Sequence, residues 1–218
     1  MLLSIGGHPG LSDYSLNSTE DAKEVANYLY TNFRSGQYGP LGSVELDGID
    51  FNIQVTTDHW EDLARELDFF GHSKLGHDFH LSAAPRCPVP VTNLDKAIET
   101  KLFDYIFVIF FDKPSCESST FRGYSRPLLD SLDNWVMLVA SNNSLFVGLP
   151  ASITAPVTGY VPPTFFNRVV LPHVKKASNY EEVMLWNRFR DLRSNFSGRI
   201  LPNVLKSPLR FATFVSDT

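Results

Sequence analysis

Leu46-Asp47-Gly48-Ile49-Asp50-Phe51-Asn52-Ile53-Gln54 alternates without a break. As a strand it places Ile49, Phe51 and Ile53 on one face and Gly48, Asp50, Asn52 and Gln54 on the other. Strands of a doubly wound sheet are covered by helices on both faces and read almost wholly apolar. A strand with helices on one side only, and a polar face toward its C-terminal end, suits a TIM (β/α)8 barrel, where that end builds the site. The choice depends on whether the rest of the chain repeats the same unit.

It does repeat. Apolar runs predict strands at Leu2–Gly6, Val44–Ile53, Phe79–Ala84, Tyr105–Phe111, Leu145–Leu149 and Val183–Trp186. Between them, helical patterns cover Thr19–Phe33, Asp58–Phe70, Asn93–Thr100, Arg126–Val139, Pro163–Lys175 and Arg190–Val204. Trp60, Leu63, Ala64 and Leu67 follow the i, i+3, i+4, i+7 spacing of one buried helix face. Thr19 and Thr57-Asp58 are candidate N-terminal caps. Each strand is followed by one helix, so the sheet should be parallel.

With 43% hydrophobic and 20% charged residues, the 218-residue chain can bury a core. Its net charge of −5 argues against nucleic acid or an anionic membrane as partner, since both call for a basic surface. No apolar run reaches the roughly 18 residues of a membrane span. Met1–Gly7 has no charged leading segment and reads as a strand entering a glycine turn, not as a signal peptide. Two cysteines leave room for one bridge. No phosphate loop, CxxC pair or GxSxG elbow is present, and no cofactor is expected.

Asp47-Gly48-Ile49-Asp50-Phe51-Asn52-Ile53-Gln54 resembles the DGIDFDIE signature of glycoside hydrolase family 18, in particular the plant class III chitinases of the hevamine type. Leu3-Ser4-Ile5-Gly6-Gly7 is similar to that family's third strand and Ser82-Ala83-Ala84-Pro85-Arg86-Cys87-Pro88 to its fifth. Leu102-Phe103-Asp104-Tyr105 leads into the sixth, Val147-Gly148-Leu149-Pro150 marks the seventh and Val183-Met184-Leu185-Trp186 the eighth. The resemblance thus implies a chitinase-type barrel over residues 1–206, with strands three to eight present and the first two βα units absent, followed by a tail at 207–218. Two missing units would leave open strand edges, so the chain alone is expected to be poorly soluble or to come from a shortened gene model.

Family chemistry is substrate-assisted. A Glu protonates the leaving oxygen, an Asp two residues earlier orients the acetamido group that attacks the anomeric carbon, and a Tyr helps to hold it. On the matching positions this chain carries Gln54, Asn52 and Phe111. An amide donates no proton to a leaving group, and a neutral Asn does not stabilise a cation as a carboxylate does. Each exchange keeps its shape, so the resemblance implies a disabled centre in a retained scaffold. Asp50 and the pocket-floor Trp186 are kept, which leaves Gly7, Asp50, Ala83 and Trp186 as expected ligand-binding residues. Arg86 and Ile109 stand where the type commonly has Gln. Residual chitinase activity, and a polar barrel layer with no function, remain alternatives.

The resemblance also pairs Cys87 with Cys116, whose separation of 29 equals that of the family's strand-five to strand-six disulfide; the alternative is two buried thiols. A bridge implies an oxidising compartment, and the family implies an extracellular or vacuolar one. Asn17, Asn142 and Asn195 begin N-glycosylation triplets. His72, His77 and His80 are read as solvated, with no metal site expected. The basic run from Arg188 to Arg210 is read as a solvated final helix, and the tail from Leu201 has no functional reading. Expected partners are chitin or N-acetylglucosamine oligosaccharides. The silent relatives of the family, among them concanavalin B and the cereal xylanase inhibitors, add storage or binding to a glycosidase as an alternative.

Overall fold

A computed structural model describes residues 1–7, 14–34, 39–54, 58–75, 79–89, 93–118, 125–155 and 157–204. The described residues form six strands. They are β1 (Leu2–Gly7), β2 (Gly48–Ile53), β3 (His80–Ala83), β4 (Tyr105–Ile109), β5 (Ser144–Pro150) and β6 (Tyr180–Trp186). The chain divides into two compact units, Met1–Pro85 with Val91–Tyr105, and Arg86–Pro90 with Ile106–Thr218.

In the first unit β1, β2 and β3 are parallel, with Leu3, Ile49 and Leu81 in one register row and Ser4, Asp50 and Ser82 in the next. Gly48 is required where β2 meets β3, because a Cβ there would lie 1.8 Å from the His80 carbonyl oxygen. Helix α1 (Thr19–Phe33) buries Ala22, Ala26, Leu29 and Tyr30, one stripe at helical spacing. Its cap is Ser18, one residue ahead of the expected Thr19: the Ser18 hydroxyl accepts from the Asp21 amide at 3.1 Å. Helix α2 (Trp60–Leu75) buries Trp60, Leu63, Ala64 and Leu67, the face read from the sequence. Tyr30 stacks on Phe70 at 5.1 Å, and Phe51 meets Phe103 edge-on at 5.2 Å. Helix α3 (Asp95–Glu99) closes this unit.

The second strand is shorter than expected. Val44 is exposed, and the amides of Leu46 and Asp47 donate to the carbonyls of Phe33 and Met1 outside any ladder, so pairing starts only at Gly48.

The second unit takes β4 from Ile106 onward, with α4 (Arg126–Leu138), β5, α5 (Pro163–Phe165), α6 (Leu171–Val174), β6, α7 (Arg188–Ser194) and α8 (Phe196–Val204). β5 and β6 are parallel, with Gly148 beside Met184 and Pro150 beside Trp186. Between α5 and α6 the helix widens into a π turn over Phe166–Val170. Pro172, two residues past the turn, has no N–H with which to continue the regular ladder. The helix expected at Arg190–Val204 is broken in two by Asn195, whose left-handed φ of 53° ends α7. Asp191 then receives the Ser197 amide at 2.7 Å and starts α8.

Cys87 and Cys116 are bonded, with Cα atoms 5.9 Å apart. The Cys87 carbonyl is held from α4 by the Ser131 hydroxyl at 2.7 Å and the Trp135 indole N–H at 3.0 Å. Cross-linking across 29 residues restricts the unfolded chain by about 3.6 kcal/mol. A Cys87→Ser/Cys116→Ser variant is therefore expected to lose up to about 3.6 kcal/mol in urea unfolding. Equal midpoints for the two proteins would show that α4 alone fixes this corner.

Candidate functional site

The polar face of β2 is assembled in the first unit. Ser4, Asp50 and Ser82 stand side by side on three parallel strands. The Ser4 hydroxyl donates to Asp50 Oδ2 at 2.7 Å and the Ser82 hydroxyl to Oδ1 at 2.6 Å. Asp50 is only 3% exposed, and burial pushes its carboxyl up to about 6 while the Ser82 and Ser4 hydrogen bonds pull it back. Both oxygens are engaged, so Asp50 supports the face from beneath and is not a surface contact.

One row further along, Gly6 lies beside Asn52. Gly6 has φ +93°, and a Cβ on it would fall 2.6 Å from the Asn52 carbonyl oxygen, so the close approach of β1 needs glycine. The Gln54 side-chain amide donates to Asn52 Oδ1 at 2.9 Å, which joins the two amides into a neutral pair. Tyr14 ties the rim: its hydroxyl donates to the Gly7 carbonyl at 2.9 Å and accepts the Gln54 backbone N–H at 2.9 Å. Gly7 itself has open space where a side chain would be.

Ala83 does not belong to this face. It is in register with Phe51, which packs on Phe103 on the opposite side of the sheet, and it is fully buried. Ser82 is the β3 residue that shares the face of Asp50, because parallel partners in register point the same way.

The second unit holds the aromatic residues. Phe111 lies just past β4 and is 6% exposed; its ring centroid is 6.1 Å from that of the partly exposed Trp186 at the end of β6. The Trp186–Asn187 peptide is cis. Arg86 and Ile109 are bridge partners, so the two positions that differ from the commoner Gln lie next to each other. Burial pulls the Arg86 guanidinium below its usual range and the Asp112 carboxylate opposes this. Asp112 in turn accepts the Thr158 amide at 2.9 Å.

Among the described residues no group of three His, Cys, Asp or Glu could hold a metal ion. His80 reaches Asp104 at 3.2 Å, while the His72 side chain and all of His77 lie outside the described residues. Asn17, Asn142 and Asn195 are all exposed. No described helix is long and apolar enough to cross a membrane. Ser4, Ser82 and Tyr14 were not among the expected site residues. Ser4 and Ser82 become visible once the parallel register is known; nothing local marks Tyr14.

The model of the family described as glycosyl hydrolases family 18 matches residues 1–191. An acidic endochitinase of Arabidopsis thaliana is 42% identical over 94% of this chain, which spans 66% of that relative's length. An acidic endochitinase of Phaseolus angularis is 44% identical, with the same coverages. Among solved structures, the xylanase and alpha-amylase inhibitor protein XAIP-II of Scadoxus multiflorus superposes with a TM-score of 0.84 at 36% identity, over 94% of this chain and 74% of that one. Concanavalin B gives 0.83 at 40% identity, over 92% and 71%. A tamarind chitinase-like lectin gives 0.76 at 34% identity, over 91% and 71%. The parallel α/β architecture is that of the barrel chitinases, and the chain belongs to glycosyl hydrolases family 18.

Proposed function

We propose that this protein is a chitinase-like pseudo-enzyme that holds N-acetylglucosamine oligomers without cleaving them. The Asn52–Gln54 amide pair carries this reading. It occupies the two positions where the family signature has Asp and Glu, and it contains no group that protonates a leaving oxygen or balances a developing cation. Asp50, with both oxygens taken by serines, offers no substitute acid at the face. The open position at Gly7 in the first unit and the Phe111–Trp186 ring pair in the second support retained sugar binding. The disulfide supports residence in an oxidising compartment, extracellular or vacuolar.

Calorimetric titration with chitotetraose tests the reading. Binding in the millimolar range or tighter is expected, with Trp186→Ala weakening it about tenfold through loss of the stacking surface. No heat at millimolar sugar contradicts it. A second reading, a glycosidase inhibitor, is supported by the 36% identity to XAIP-II, and co-purification with a xylanase or α-amylase would favour it.

A further inference from the structure

Between helix α4 and the turn that follows α6, the second unit leaves a cavity of about 180 Å³. Its apolar lining is Leu132, Val136, Val174 and Ala177, of which Leu132 and Val174 are buried. Close-packed interiors hold few voids larger than a water molecule, so an opening of this size stands out from the packing around it. Two ties fix its walls. His173 Nε2 meets Asp133 Oδ1 at 2.7 Å and joins α6 to α4. The Asn179 side-chain amide donates to the carbonyls of Val136 and Val139, both at 3.1 Å, and clamps the turn to the end of α4. A cavity with tied walls is pre-formed, which spares a ligand the cost of ordering them.

The lining also contains Asp133, His173 and Lys176. Asp133, its one acid, is taken by His173. Lys175 is engaged by the Asn203 carbonyl, whereas the Lys176 ammonium pairs with no carboxylate among the described residues. Lys176 is therefore the cation left for a ligand.

We infer that this cavity binds a compact carboxylic acid of about benzoate's size, with its apolar body against Leu132, Val136, Val174 and Ala177 and its carboxylate on Lys176. Volume sets the size, since an apolar cavity of about 150 Å³ takes benzene. Charge complementarity with the free ammonium selects an acid over a neutral ring. The inference goes beyond the chitin-oligomer reading and shares no residue with it.

The test follows the backbone amide NMR spectrum of the isotope-labelled whole chain during titration with benzoate, benzyl alcohol and acetate. Wild type is compared with Lys176→Met, which removes the charge, and Ala177→Leu, which enlarges a side chain of the lining. Both positions are at least partly exposed, and thermal unfolding checks that each variant is intact. Benzoate is expected to give saturable shifts at residues 132–136 and 173–177, with a Kd in the millimolar range. Affinity should fall about fivefold in Lys176→Met and further in Ala177→Leu. Benzyl alcohol, which lacks the charge, and acetate, which lacks the apolar body, should bind more weakly than benzoate. No saturable benzoate shift, shifts centred on other residues, equal affinity for benzyl alcohol, or equal affinity in wild type and Lys176→Met overturns the inference. Movement of the same signals on raising the protein concentration alone also overturns it, in favour of a second copy of the chain as occupant.

Discussion

Incubated with soluble chitin, the pure protein is expected to release reducing ends no faster than buffer. General acid catalysis contributes about 10²–10⁴ in rate, and the position that should supply it holds Gln54, whose amide is committed to Asn52. On the proposed reading, Asn52 leaves no negative charge to face the anomeric carbon, and Phe111 lacks a phenol hydroxyl. These groups act together, so their separate factors do not multiply. Loss of the acid alone suffices for the expected result. The converse experiment combines Asn52→Asp, Gln54→Glu and Phe111→Tyr. Turnover should then rise about 10²-fold or more above background. If the triple variant stays silent, the face has drifted at positions beyond these three, with Arg86 and Ile109 the first to examine. Wild-type turnover that falls on mutation of Asp50 would overturn the pseudo-enzyme reading.

The second large effect concerns stability. Asp50 has a folded pKa of about 6 against an ordinary carboxylate value of 3.8, and desolvation is the cause. Between those two values the folded protein binds more protons than the unfolded chain, so stability contributed by this group falls as pH rises from about 4 to about 6. The shift corresponds to about 3 kcal/mol, fully expressed above the folded pKa. Asp58, lowered by Lys96, and Asp62, lowered by His59 and Thr19, have the opposite sign and gain as pH rises. Glu182, raised by burial and Glu181, acts in the same sense as Asp50. Comparing wild type with Asp50→Asn isolates the one group. The variant should be about level with wild type near pH 4 and up to about 3 kcal/mol more stable at pH 7, provided its amide keeps one serine donor. A constant difference across this range in denaturant titrations would show that Asp50 is not held against its charge.

The barrel class was legible because the Leu46–Gln54 stretch alternates where a doubly wound strand would not, and because apolar runs and helical stripes recur in turn. Helix α1 and the buried face of α2 were readable from spacing alone. Boundaries set by tertiary contact were not. Nothing in Val44–Asp47 forbids a strand; it fails to pair because its amides go to Phe33 and Met1. Asn195 breaks the last helix by a left-handed conformation that Asn tolerates without demanding. On the β2 face, Asn52 and Gln54 were singled out through the signature and are hydrogen-bonded neighbours, while Ala83 lies on the other face because one residue along a strand reverses it. The same register, once known, replaces it with Ser82 and adds Ser4.

Binding without hydrolysis is read most directly by saturation-transfer NMR on chitotetraose in one tube over several days. Transfer from protein to sugar is expected throughout, with the reducing-end anomeric signals unchanged in intensity. Growth of those signals as shorter oligomers form, or no transfer at millimolar sugar, would contradict it.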